Sequence, residues 1–383
     1  MNKNLRITNL DFIRGVALLG ILVMNVISFG LPISAYYNHS SYGAENTLDW
    51  IVVIISSIFF DSKMMGLFSM LFGAGMVLFY DRAKEKTTWP LLLSFWRNFL
   101  LLCFGLIHIT IWNGDILTVY GICAMFIIAT RMVKIKNIKS LIFITSFFVV
   151  SSTYITNYFD SLYDESGNLS SNDLWVEVAN RGSDVSLGKF WFPDTDAFSN
   201  VIGLWFVSEG FIRAFTLMVF GMLLYRLGIL NGTKEKSFYT KLMFYGFGIG
   251  LPLSVYSIYI LITGEYSPGL FLPSRMINTL SIIPMVTGYV GLLTILNKQI
   301  KSQIAERLRA CGRMAFTNYI VQTLFGTLVF TYIFDLGELT RSQLILFVVS
   351  VWILQYFWSK PILDKSKFGP LEWFWRKLTY FFI

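Results

Sequence analysis

Two histidines, His39 and His108, are the only ones in 383 residues, and His108 stands inside an apolar run. It lies in the stretch GLIHITIWNGDILTVYG (105–121), seven residues ahead of Asp115. Apolar runs at 91–111 and 116–129 flank Trp112, Asn113, Gly114 and Asp115. Asn and Gly tolerate positive φ and Asp can hydrogen-bond its own backbone, so this spacing predicts a tight turn between two antiparallel helices. That turn brings His108 and Asp115 to the same end of the hairpin. An imidazole can accept a proton near neutral pH, and a carboxylate beside it can orient the ring and stabilise its cation. Ionisable groups in apolar segments are costly and often functional. The competing reading of His108 is a histidine satisfied by a neighbouring carbonyl, and Asp115 can also serve as N-cap of the second helix.

Two further sets of residues have spacing that could carry chemistry. Arg6, Asp11, Arg14 and Gly15 form an R-x4-D-x2-R-G pattern as the chain enters its first apolar run. Asp11 and Arg14, three apart on one helical face, can pair and hold the phosphates of a donor. They can equally be a snorkelling anchor at a membrane surface. Glu209 and Arg213 stand at i, i+4 inside an apolar segment. They either neutralise each other or, like Asn113, line a substrate or ion path. Gly66, Ser69, Gly73 and Gly75 have the small-residue spacing of close helix packing. Cys103, Cys123 and Cys311 lack metal-ligand spacing, and no metal site is expected.

The elements that must position these residues are membrane helices. Apolar residues make up 55% of the chain and charged residues 14%, and the apolar runs approach the roughly 20 residues that cross a bilayer. The expected fold is an all-α polytopic bundle with ten spans, near 12–32, 64–80, 91–111, 115–130, 140–158, 201–225, 242–263, 275–296, 314–334 and 342–358. Segments 1–11, 81–90, 131–139, 226–241, 297–313 and 359–383 hold 23 Lys and Arg, and the opposite loops hold five. By the positive-inside rule both termini are cytoplasmic, in the plasma membrane, and the His108 corner lies near the outer face. The net charge of +8 therefore reflects topology and not nucleic-acid binding. The apolar piece 48–60 is left over by the odd number of crossings and is read as an interfacial or partly inserted helix. The acidic stretch 159–200 is expected to form an outer loop, either a small lid or a flexible segment without a role. The halves 1–225 and 226–383 are expected to build one integrated membrane domain.

The segment LDFIRGVALLGILVMN (10–25) resembles the opening of the YeiB family of membrane proteins. It is similar, more distantly, to membrane acyltransferases that include acyltransferase family three and the lysosomal heparan-glucosaminide acetyltransferase. KMMGLFSMLFGAG (63–75), FGLIHITIWNGDILTVYG (104–121), CGRMAFTNYIVQT (311–323) and FGPLEWFWRKLTY (368–380) extend the YeiB resemblance over nearly the whole chain. Acyltransferase family three carries a histidine eleven residues after the motif arginine, where this chain has Asn25, as the heparan enzyme does. His39 falls near that enzyme's active histidine with a different spacing, whereas His108 is the histidine of the YeiB pattern.

The resemblance implies transfer of an acyl group from a cytoplasmic donor such as acetyl-CoA to an extracytoplasmic acceptor, a sugar or another cell-envelope component. In that scheme His108 is the base, Asp115 orients it, and Asn25 or Asn113 donates to the developing oxyanion. Arg6, Asp11 and Arg14 hold the donor. Acyl-CoA enters as a co-substrate, with no tightly bound cofactor. The expected partners are the lipid bilayer, the small-molecule donor and acceptor, and a second copy of the chain in a homodimer. The competing class is a transporter or exporter that makes no bond.

Overall fold

The computed structural model describes residues 7–32, 34–147, 149–151, 197–267 and 270–381. Arg6 and most of the expected loop 159–200 lie outside these residues. The described helices are α1 (Thr8–Gly30), α2 (Ser34–Tyr37), α3 (Thr47–Phe59), α4 (Lys63–Ala83), α5 (Pro90–His108), α6 (Leu117–Ala129), α7 (Ala197–Arg226), α8 (Lys236–Thr263), α9 (Phe271–Gln299), α10 (Ser302–Arg313), α11 (Ala315–Tyr332), α12 (Arg341–Lys365) and α13 (Pro370–Thr379). A further apolar helical stretch begins at Ile138. Among the described residues there is no strand, so the fold is an all-α bundle. Among the described residues, six helical segments are long and apolar enough to cross a membrane: Thr8–Gly30, Thr47–Ala83, Pro90–His108, Lys236–Thr263, Pro273–Gln299 and Arg341–Lys365. This is a membrane protein.

Helix ends differ from the sequence expectation where side chains cap them. The second helix of the hairpin begins at Leu117 and not at 115, because the Asp115 carboxylate accepts from Leu117 N (3.0 Å) and Thr118 N (2.7 Å). Its 13 residues rise only roughly 20 Å, too short to cross the hydrocarbon core unaided. Residues 48–60 form a real helix, α3, separated from α4 only by Phe60, Asp61 and Ser62. Ser62 takes a left-handed conformation (φ 62°), which breaks the run. One face of α3 is sealed by Val53 against Ile258 of α8. Its other face leaves Leu48, Ile51, Ile54 and Ile55 exposed.

Close packing accounts for much of the small-residue pattern. A methyl group on Gly73 would collide with the Met218 carbonyl, and one on Gly221 with the Met70 carbonyl, so α4 and α7 touch backbone to backbone. Gly66 faces Ile282 and Leu217. Ser69 is different, since its hydroxyl bonds the Tyr120 hydroxyl at 2.7 Å. Gly15, the last residue of the N-terminal pattern, faces the Leu308 carbonyl, and Gly312 faces the Asp11 carbonyl, which locks α1 onto α10.

Helices α1 and α12 run antiparallel, for Gly30 abuts Leu344 while Trp352 Nε1 donates to the Leu19 carbonyl (2.8 Å). The start of α1 and the end of α12 therefore lie on one side of the bundle. The basic loops gather there too. Arg226 pairs with Asp81 and donates to the Val133 carbonyl, Arg313 donates to the Lys367 carbonyl, and Lys86 lies over the Tyr380 ring. Helix α13 is latched at this end. The Glu372 carboxylate accepts from Phe316 N (2.8 Å), Thr317 N (3.0 Å) and Thr317 Oγ1 (2.6 Å), capping the start of α11 from 55 residues away.

Candidate functional site

The turn after α5 does bring His108 and Asp115 together. His108 Nδ1 lies 2.7 Å from Asp115 Oδ1, and Nε2 lies 3.0 Å from Thr323 Oγ1. The hairpin is tight because Gly105 sits against Thr118 and Gly121 against Leu102, with no room for a side chain at either glycine. His108 is 2% exposed and its ring stacks obliquely on Tyr319 (5.2 Å) and edge-on to Trp112 (6.1 Å). Asp115 holds three donors at once when His108 Nδ1 carries its proton, so it is both the N-cap of α6 and the orienter of the ring. Thr323 closes the chain of contacts from α11. It is the last residue of the CGRMAFTNYIVQT segment, and its hydroxyl was not anticipated because no spacing rule connects positions 108 and 323.

The corner sits deeper than the turn chemistry suggested. Thr323 is midway along α11, and Trp112 covers the turn by packing on Phe29 at 4.6 Å. Asn113 belongs to this turn, half-buried, and among the described residues no hydrogen bond ties its side chain to the pair. Among the described residues no hydrogen bond ties Asn25 to the pair either. It lies half-buried on α1, where its carbonyl accepts from Ser28 Oγ (2.9 Å).

At the end where α1 starts and α12 finishes, Arg14 Nη1 lies 3.4 Å from Asp11 Oδ1, so the i, i+3 pair forms. Asp11 is buried and Arg14 partly exposed. Arg213 donates to Ser62 Oγ (3.2 Å). Glu209 lies on the same helix, but its side chain is outside the described set.

A second polar cluster gathers at the break between α3 and α4. Asp61 Oδ2 accepts from Arg275 Nη1 (2.7 Å) and Asn278 Nδ2 (2.9 Å), and Ser62 Oγ donates to Asp61 Oδ1 (3.1 Å). Lys63, fully buried, donates to the Ser57 carbonyl (2.9 Å) and to Asn278 Oδ1. His39 reaches this region from the linker after α2, with Nδ1 3.0 Å from the Tyr266 hydroxyl. His39, Ser57, Asp61, Ser254, Arg275 and Asn278 share the lining of one cavity. Burial, reinforced by the Arg341 charge, pushes the His39 pKa down to about 3, against the smaller opposing pull of Asp61. His39 is therefore neutral at physiological pH. In the sequence, Asp61, Ser62 and Lys63 separate the apolar pieces 48–60 and 64–80, and Lys63 and Arg275 are two of the five basic residues on the side opposite the basic loops. Their meeting was not visible, because it needs the fold of α9.

Similarity to known proteins runs along nearly the whole chain. The chain is 30% identical over 390 residues to the uncharacterized protein YeiB of Escherichia coli strain K12, covering 98% of this chain and 96% of that protein. The chain belongs to the YeiB family. This YeiB-family protein is also 28% identical over 409 residues to the uncharacterized protein YxaH of Bacillus subtilis strain 168, covering 98% and 95% of the two chains. An uncharacterized 39.9 kDa protein from the amylase 3′ region of Bacillus acidopullulyticus is 26% identical over 390 residues, covering 98% and 94%. Residues 224–382 match a family model described as a protein of unknown function, DUF418. In the YeiB-family chain that match takes in α8 to α13, hence Thr323 and Glu372 but not His108.

Proposed function

We propose that this YeiB-family protein is a transmembrane acyltransferase of the plasma membrane, passing an acyl group from a cytoplasmic thioester donor such as acetyl-CoA to an acceptor on the far side. The observation that supports this reading is the buried Asp115–His108–Thr323 chain, with contacts of 2.7 and 3.0 Å. It has the order orienter, base, hydroxyl. The ring nitrogen facing Thr323 is the one that would take the proton of an acceptor hydroxyl or amine replacing that threonine contact. Arg14, braced by Asp11, is the proposed donor contact at the end that carries the basic loops, and the charge rule makes that end cytoplasmic. The test is reconstituted protein given labelled acetyl-CoA, with donor binding, slow hydrolysis and transfer measured separately. Failure to bind or consume the donor would end the reading.

A transporter reading has its own support in the break at Phe60–Ser62, where a helical run is interrupted beside buried Asp61 and Lys63. Interrupted helices with intramembrane charges are common at transport sites. A transporter would neither bind nor hydrolyse acyl-CoA, so the same experiment separates the two.

A further inference from the structure

We propose that the cleft between helix α13 and the α4–α5 loop is a binding site for the phosphate of an anionic phospholipid headgroup. The spacing along α13 prepares it. Trp373, Arg376, Lys377 and Tyr380 stand at i, i+3, i+4 and i+7, so they share one face of this ten-residue helix and its C-cap. The opposite face is spent on the bundle. There Glu372 caps α11, Trp375 Nε1 donates to the Arg97 carbonyl (2.9 Å), and the Leu378 carbonyl accepts from Trp96 Nε1 (3.1 Å). A helix this short rises only about 15 Å, so it braces the end of the bundle and does not cross the hydrocarbon core.

The outward face of α13, with Phe368 ahead of it and Lys86 from the α4–α5 loop, lines an open cleft of about 440 Å³. That is within the roughly 300–1,000 Å³ of small-ligand sites. Lys86, Arg376 and Lys377 line it, and no carboxylate does. Among the described residues these three cations form no ion pair and lie on aromatic rings instead. Lys86 lies 5.2 Å from the Tyr380 centroid, Arg376 5.0 Å from those of Phe368 and Tyr380, and Lys377 5.3 Å from that of Trp373. Ring contacts hold a cation in place but leave its charge uncompensated. A phosphodiester supplies that compensation, because its oxygens accept charge-assisted hydrogen bonds from guanidinium and ammonium groups. Arg97, between the Phe79 and Trp375 rings (4.5 and 4.2 Å), adds positive charge from the protein side of α13. The surroundings mark the anion as part of a lipid. Trp373 and Phe374 are exposed on α13 and Phe381 just beyond it, as are Trp89 and Leu92 around the start of α5, the helix against which α13 packs. Tryptophan beside basic side chains is the composition of the headgroup level of a bilayer, and the acyl chains of a bound lipid would cover the exposed apolar residues. This site is independent of the acyl-transfer reading.

The test uses the full chain in a neutral detergent, titrated with phosphatidylglycerol or phosphatidylcholine, with retained lipid counted by native mass spectrometry. One phosphatidylglycerol is expected to be held about tenfold or more tighter than phosphatidylcholine. Lys86→Gln should weaken its retention about fivefold, and the triple variant Lys86→Gln, Arg376→Gln, Lys377→Gln about twentyfold or more. Trp373→Ala leaves the charge unchanged and should also weaken it. The triple variant Lys134→Gln, Lys136→Gln, Lys139→Gln removes the same charge from an exposed stretch of another basic loop and should retain phosphatidylglycerol like the parent. Equal retention of the two lipids, parental retention by the cleft triple, or an equal loss in the control triple would each overturn the proposal. Lys86→Gln, which alters only a loop, decides the matter should the cleft triple fail to fold. sn-Glycerol 3-phosphate or ADP held through the same three residues as tightly as the lipid would also overturn it, by giving the cleft to a soluble phosphate.

Discussion

Replacing His108 separates chemistry from scaffolding, because the structure fixes what each variant loses. His108→Ala removes the 2.7 Å contact to Asp115 and the 3.0 Å contact to Thr323. Asp115 keeps Leu117 N and Thr118 N, so the start of α6 survives. Thr323 keeps a weak outlet in the Tyr319 carbonyl at 3.5 Å. The stability cost is then one hydrogen bond to a carboxylate, about 1.5–3 kcal/mol, and a neutral one of about 1 kcal/mol. The void left by a buried ring adds a further cost of order 1–3 kcal/mol in this setting. His108→Gln can bond on both sides and should lose much less stability. Removal of a general base lowers the rate by about 10²- to 10⁴-fold. Both variants are therefore expected to lose transfer to that degree while binding donor normally, although their melting temperatures differ. Initial rates with labelled acetyl-CoA in proteoliposomes, beside thermal unfolding of each variant, read the two effects separately. Parental transfer by His108→Gln would show that the Asp115–His108–Thr323 chain is scaffolding alone.

Other outcomes follow from particular contacts. Glu372→Ala leaves two backbone N–H groups of α11 without their acceptor and should cost about 1–2 kcal/mol, seen as faster hydrogen exchange at residues 315–317 and in α13. The depressed His39 pKa means that the folded state disfavours its proton, so the stability it supports is present above about pH 6.5 and declines as pH falls toward 3. The slope approaches one proton, about 1.4 kcal/mol per pH unit, and His39→Gln should flatten a plot of melting temperature against pH over that window. Gly73→Ala drives a methyl into the Met218 carbonyl and should cost about 1–3 kcal/mol, lowering the melting temperature more than Gly248→Ala, where the added carbon meets nothing. A cysteine at exposed Ser40, in a background lacking the three native cysteines, should react with an impermeant thiol reagent from outside intact cells. Reaction from the cytoplasmic face only would reverse the topology.

The parts of this molecule legible in the sequence are those set by local rules. Apolar length located the long helices, and the Asn-Gly-Asp turn predicted that His108 and Asp115 would meet, since seven residues and one turn leave them few alternatives. The Arg14–Asp11 pair followed from helical spacing. Contacts made at long range were not legible. Thr323 meets His108 across 215 positions, and Asp61 meets Arg275 across 214, with no periodicity to link them. The leftover piece 48–60 illustrates the limit from the other side. Its composition suited either a surface helix or an inserted one, and only its packing on α8 and the left-handed break at Ser62 showed how a helix and a charge cluster share so short a stretch.

The embedding of α1 carries a consequence for the order in which the molecule is made. Seventeen of its 23 residues are buried, and the surfaces that bury them include α10, α11 and α12, all encoded in the last 82 positions of the chain. During synthesis α1 leaves the ribosome before α10, α11 and α12, and is thus without those permanent neighbours until they follow. Gly15, Asn9 and Asp11, which end up against protein, must wait in lipid or against the insertion machinery in the meantime. Closure of α10, α11 and α12 around α1 therefore comes late in assembly, and a nascent chain arrested before α10 would be expected to hold α1 loosely and to be a ready substrate for membrane proteases.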